Sequence, residues 1–169
     1  VLQQFFGQDL APAVQEKLRP GRKIGLILAM NVLAHTSDIN DFLAGVTQLM
    51  EPGTVFVSQS HWLAGLTRKF EFDTIYHEHV SFWSLKTLKD LFARFDMEVT
   101  SAERLPIHHG QLRVFVQRQG DGKVESGVAD ILEEEKANGL GDFKTYLRFA
   151  ETAQKIKSEL NQTLKDLIG

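Results

Sequence analysis

The chain has 169 residues, 43% of them hydrophobic and 24% charged, with a formal net charge of −3, which suits one domain, or one domain with an appendage, and a real buried core. The mild negative charge offers no field to draw in nucleic acid or an anionic membrane, so an anionic ligand must be held by local cations. Cysteine is absent, which excludes disulfides and thiolate metal sites, and no apolar run reaches the roughly 20 residues of a bilayer span.

Val1–Phe6 has no basic stretch, so it does not read as a signal peptide, and the lack of a starting Met leaves room for residues upstream. The composition fits a cytoplasmic protein. Residues 9–19 carry Leu10, Val14 and Leu18 at helical spacing, ended by Pro20-Gly21. Residues 24–30 form a continuous apolar run, the pattern of a strand buried on both faces. Asp38 is placed to cap a helix over 39–50. Glu51-Pro52-Gly53 is a turn, and 54–58 a second apolar strand. Helix, strand, helix and strand with short joins predict an α/β fold with helices on the faces of the sheet.

Residues 59–82 break the pattern, being too polar for a core strand and too aromatic for an idle linker. Ser84 then caps a helix bearing Leu85, Leu88, Leu91 and Phe92. Strands at 97–104 and 112–118, joined by a short turn, predict a hairpin and hence one antiparallel strand. Gly120-Asp121-Gly122 closes that unit. An acidic helix over 127–137 follows, then a long amphipathic helix from Asp142 to Leu167. Its roughly 26 residues would span about 39 Å, more than one small domain needs. Such a helix packs on a partner or leads into another domain. The expected organisation is an α/β domain over 1–120 and a helical appendage over 121–169.

The densest chemistry is Tyr76-His77-Glu78-His79, with a phenol, a carboxylate and two imidazoles in four residues. Histidine serves as a base near neutral pH, glutamate can orient it, and tyrosine can stabilise an oxyanion. In an extended segment His77 and His79 would share the face opposite Tyr76 and Glu78; in a turn that separation is lost. A metal reading of His-Glu-His lacks a third ligand at motif spacing, so no metal is expected. The competing reading is a surface loop of hydrogen-bonded histidines. Asn31 and His35 follow a buried strand directly, where open α/β sheets bind ligands; the alternative is that they only cap backbone. Arg113, after the turn at 106–111, can meet a phosphate or form a surface pair.

Three ordered blocks, Asn31-Val32-Leu33-Ala34-His35, then Phe72 to Leu85, then Glu103 to Val116, resemble the S-adenosylmethionine-dependent sugar C-methyltransferases. The likeness is specific from about Phe5 to Gln119 and looser over the helical tail. It implies the C-terminal half of a class I, Rossmann-like methyltransferase sheet, mixed with one antiparallel strand and followed by a long helical tail. It also implies S-adenosylmethionine as cofactor and a nucleotide-linked keto-deoxysugar as substrate. Carried over, His79 resembles the base that removes the proton alpha to the ketone. Glu78 and Tyr76 resemble the groups that orient it and stabilise the enolate. His35, His109, Gly110 and Arg113 would border the sugar nucleotide, and Asn31 and Val32 the cofactor. Gln111 stands where the family has a small hydroxyl residue, and Ser60-His61-Trp62 departs from its Pro-Tyr type. The cysteine-bearing zinc module and the Gly-rich cofactor loop have no counterpart in these residues.

The alternative is a non-catalytic, self-associating sugar-nucleotide-binding module or a gene remnant. The resemblance also leaves the strand at 24–30 on an exposed edge, a liability that association would cover. A homodimer through that edge or through the 142–167 helix is therefore expected.

Overall fold

The computed structural model describes residues 2–107 and 110–168. Four strands form one sheet: β1 (Leu26–Met30), β2 (Val55–His61), β3 (Met97–Leu105) and β4 (Gln111–Arg118). Their spatial order is β1-β2-β4-β3. β1 and β2 are parallel, and β4 runs antiparallel to both β2 and β3. One reversed strand in an otherwise parallel sheet is the mixed α/β fold expected from the hairpin and from the resemblance.

The helices follow the apolar spacing. α1 (Ala11–Glu16) is short, with proline in its first turn, where the missing N–H costs nothing. α2 (Ile39–Leu49) starts where the Asp38 carboxylate accepts the Asp41 N–H. α4 (Leu85–Ala93) opens with a capping box between Ser84 and Thr87. α5 (Ser126–Ala137) and the 26-residue α6 (Phe143–Ile168) close the chain. Phe42, Leu43 and Val46 from α2, Leu88 and Phe92 from α4, and Val128 and Ile131 from α5 share one core with Phe56, Val99, Val114 and Val116 of the sheet. The Phe56 ring stands edge-on to Phe92 at 5.9 Å, a favoured aromatic geometry.

Two expectations need correction. The run at 24–30 is not buried on both faces: Leu26, Leu28 and Met30 are 54%, 57% and 39% exposed, while Ala29 is buried. The reason is the strand period of two at the edge of the sheet, which sends alternate side chains to opposite faces. The stretch 59–82 is also more regular than its composition implies. It completes β2 and then forms α3 (Leu63–Lys69), which ends at Phe70 in the left-handed conformation. Seven residues containing a glycine are too short for periodicity to announce a helix.

One carboxylate joins these pieces. Glu135, near the end of α5, is only 3% exposed. It accepts the Trp62 indole N–H at 2.7 Å and the backbone N–H groups of Leu85 and Lys86 at the start of α4. Those two amides are otherwise orphans of a helix N-terminus, where negative charge is favoured. Glu135→Ala would strand three donors, two of them buried. We expect a loss of about 2–3 kcal/mol, read by thermal unfolding as a midpoint lower by roughly 4–12 °C. Glu135→Gln restores an acceptor but turns an amide N–H toward a backbone donor, so its midpoint should fall between the two.

Candidate active site

The carboxyl ends of β1 and β2 lie side by side, with Met30 paired to Gln59. Because β4 runs the other way, its first residue, Gln111, reaches the same end and pairs with His61. Here the chain leaves β1 through Asn31, whose φ of 54° is left-handed, a conformation asparagine tolerates better than most residues. The Asn31 N–H donates to the Gln59 carbonyl at 2.8 Å, and its side-chain oxygen accepts from Gln111 Nε2 at 2.8 Å. Gln59 Nε2 in turn donates to Gln111 Oε1. Asn31 and Gln111 of this amide chain form the floor of a cleft of about 190 Å³ lined also by Ala34, His35, His61, Tyr76 and His79.

The Tyr76–His79 segment folds over that floor as a tight turn, with the His79 N–H bonded to the Tyr76 carbonyl at 3.0 Å. The turn removes the face separation of an extended strand. The Tyr76 and His79 rings lie 4.3 Å apart between centroids, tilted by 36°, and the phenol oxygen lies 3.2 Å from His79 Nε2. His79 Nδ1 lies 2.8 Å from the Thr74 carbonyl. A carbonyl only accepts, so Nδ1 carries the proton, and in the neutral ring Nε2 is the basic nitrogen. The same logic applies to His35, whose Nδ1 donates to the Glu78 carbonyl at 2.8 Å. The rings of His35 and His61 stand 4.8 and 5.6 Å from that of His79.

Of the residues singled out from sequence, Asn31, His35, Tyr76 and His79 therefore converge. Glu78 takes part through its carbonyl. Its carboxylate is largely exposed and faces His77 at 4.0 Å, so the group orienting His79 is the Thr74 carbonyl instead. Val32 is exposed beside the cleft. Arg113 stands back from it: its guanidinium donates to Gln59 Oε1 at 3.0 and 2.8 Å and lies 3.6 Å from Glu103. Arg113 thus positions the amide chain. Gly110 lines a neighbouring cleft, and His109 lies outside the described residues. Thr74, Gln59, His61 and Gln111 are further site residues; Thr74 and Gln59 have only position as a signal, near the Tyr-His turn and in a strand, whereas His61 and Gln111 stand out as departures from the family pattern. Among the described residues no three His, Asp or Glu side chains gather as a metal site, and no helix is long and apolar enough to cross a membrane. Nitrogen NMR of His79 in its neutral form should report the Nδ1-protonated tautomer; Nε2 protonation would contradict the Thr74 contact.

Residues 2–102 match the family described as methyltransferase domain, and residues 106–168 match the C-methyltransferase C-terminal domain. The chain is 30% identical over 145 residues to the C-methyltransferase NovU of Streptomyces niveus, covering 85% of this chain and 34% of that one. It thus spans about a third of the length of that relative. Two solved structures are similar. One is an O-methyltransferase from neocarzinostatin biosynthesis, in complex with S-adenosylmethionine and a naphthoic acid (TM-score 0.44, 20% identity, 56% of this chain and 28% of that one). The other is magnesium protoporphyrin IX methyltransferase from Synechocystis with bound SAH (TM-score 0.46, 13% identity, 66% of this chain and 49% of that one). With the methyltransferase-domain match over residues 2–102, more than half of its length, this chain belongs to the methyltransferase-domain family.

Proposed function

We propose that the chain serves an S-adenosylmethionine-dependent C-methyltransferase acting on a nucleotide-linked keto-deoxysugar, with His79 as the base. The observation that carries this reading is the His79 ring: Nδ1 is anchored on the Thr74 carbonyl and Nε2 faces the Tyr76 hydroxyl inside the cleft. A base held in one tautomer beside a movable O–H is what abstraction of a proton alpha to a ketone requires.

The chemistry follows from these atoms. A ketone oxygen entering the cleft takes the Tyr76 O–H as its donor, which releases the lone pair of His79 Nε2. That lone pair accepts the alpha proton, and the C–H electron pair passes into the enolate. The Tyr76 hydroxyl stabilises the charge on the enolate oxygen, and the Thr74 carbonyl stabilises the imidazolium through Nδ1–H. S-adenosylmethionine supplies the electrophilic methyl group for the carbon. Asn31 and Val32 suit a place at its border because they leave β1 at the carboxyl end of the sheet. The cleft of about 190 Å³ is smaller than the roughly 300–1,000 Å³ of whole-ligand pockets. It therefore fits the reacting end of a methyl donor and of a ketone, not either molecule entire.

His79→Asn should lower methyl transfer in the intact protein by about 10²–10⁴-fold while leaving S-adenosylmethionine binding in place. Tyr76→Phe should lower it by about 10²-fold, chiefly in kcat. An unchanged rate in His79→Asn removes it as the base. Absence of both cofactor binding and turnover in the intact protein favours the non-catalytic alternative.

The same proposal includes self-association. The exposed apolar side chains of β1 and the row of Leu160, Leu164 and Leu167 on α6 support it. Sedimentation should return twice the monomer mass, and a monomer at working concentrations would refute it.

A further inference from the structure

The amide chain that supplies Asn31 and Gln111 to the His79 cleft begins on a cation. Gln59 and Arg113 are register partners across β2 and β4, and Gln111 lies two residues from Arg113 on the same face of the sheet. Arg113 Nε and Nη2 both donate to Gln59 Oε1, at 3.0 and 2.8 Å. The same guanidinium lies 3.6 Å from Glu103. Gln59 Nε2 donates to Gln111 Oε1, and Gln111 Nε2 donates to Asn31 Oδ1 at 2.8 Å. Gln59 and Gln111 are 6% and 1% exposed, so an amide turned the wrong way there would find little water to satisfy it. Asn31 is exposed and lines the cleft.

The cation decides which end of each amide points where. A guanidinium only donates. Gln59 must therefore show Arg113 its oxygen, which leaves its nitrogen for Gln111. Gln111 must answer with its oxygen, which leaves its nitrogen for Asn31. Asn31 must answer with its own oxygen, and its Nδ2 is the corner left for the cleft. One charge thus sets three amides in series, and each link polarises the next. The main chain fixes the end of the series, since the Asn31 N–H donates to the Gln59 carbonyl at 2.8 Å.

We infer that Arg113 is a positioning residue that acts on the cleft through Gln59 and Gln111, making the Asn31 amide a hydrogen-bond donor to an acceptor oxygen of the bound ligand. The identity of that ligand rests on the methyl-transfer reading, in which the oxygen belongs to the ketone or to the methyl donor; the orientation of the amide is testable without it. An Asn31 side chain free to turn would offer the ligand either a donor or an acceptor. Held by the series, it offers N–H alone. It therefore suits a carbonyl, carboxylate or ether oxygen and discriminates against a group that only donates, such as an ammonium. Because the amide is set before the ligand arrives, binding bears no cost of ordering it.

The test is side-chain amide hydrogen exchange, read by NMR on the intact protein, which needs neither ligand nor turnover. In the wild type one hydrogen each of Gln59 Nε2 and Gln111 Nε2 should exchange slowly, and both Asn31 Nδ2 hydrogens fast. Arg113→Lys keeps a cation that only donates and should keep this pattern. Arg113→Met removes it, so both orientations of the series should occur and Asn31 exchange should slow in part. Gln59→Glu still accepts from Arg113 but cannot donate. Gln111 must then turn its nitrogen toward that carboxylate and its oxygen toward Asn31, so one Asn31 Nδ2 hydrogen should slow about tenfold or more. Gln111→Glu forces the same reversal of Asn31 and serves if thermal unfolding shows that Gln59→Glu does not fold. A purely structural amide chain predicts lower stability in these variants with Asn31 exchange unchanged. In methyl transfer, an Arg113→Met loss in kcat of about tenfold with S-adenosylmethionine affinity intact places the acceptor on the ketone, and a loss of that affinity places it on the methyl donor; either supports the inference. An Asn31 amide already protected in the wild type, one that stays fast in both Gln→Glu variants, or kcat and affinity both unchanged in Arg113→Met overturns it. The expected exchange pattern in a protein without any methyl transfer upholds the positioning role and counts against the methyl-transfer reading alone.

Discussion

The buried carboxylate of Glu135 is the constraint on which the site depends. It accepts from Trp62, just before α3, and from Leu85 and Lys86, at the start of α4. Everything between those points, including Tyr76 and His79, is an excursion of the chain whose two ends meet on one side chain. The main chain reinforces the closure, with the Leu63 N–H bonded to the Trp83 carbonyl at 2.9 Å. A long excursion with free ends would spread a catalytic turn over many conformations; joining its ends removes that entropy before a ligand arrives. The helix start gains as well. The amides of Leu85 and Lys86 go to Glu135, that of Thr87 goes to the Ser84 hydroxyl, and that of Leu88 to the Ser84 carbonyl. None of these four first-turn donors is left unmet, as burial demands.

A second constraint is the direction of β4. Parallel strands bring their carboxyl ends together, and a reversed strand brings its amino end to the same place. Gln111 therefore stands where Met30 and His61 finish, and it links Asn31 and Gln59 into one amide chain. An amide is suited to this position because it donates and accepts at once. Arg113, two residues on, turns toward Gln59 for the same reason of alternation along the strand. Its distance from the cleft is thus a consequence of the register that puts Gln111 in it.

The strands, the capped helices α2 and α4 and the hairpin were legible because each has a local signal: an apolar run, an Asp or Ser cap, or a turn between alternating residues. The resemblance supplied His79, Tyr76 and His35 as members of one site, and the geometry assembles them. α3 was not legible, since seven residues give too little periodicity. The partner of His79 was not legible either. Glu78 is the obvious candidate in a sequence, being adjacent and charged, but the turn sends its carboxylate toward His77 and leaves a backbone carbonyl, invisible to any reading of side chains, to hold the ring.

Residue order alone determined the α/β class, the reversed strand and the family, because periodicity, caps and motif blocks are properties of neighbours along the chain. Tertiary structure alone decided which atoms face each other. Glu135 reaches Trp62 across 73 positions and Gln111 reaches Asn31 across 80. Arg68 and Arg104 come together only because Glu134 lies between their elements. Contacts at such separations are set by packing and register, and no local pattern encodes them.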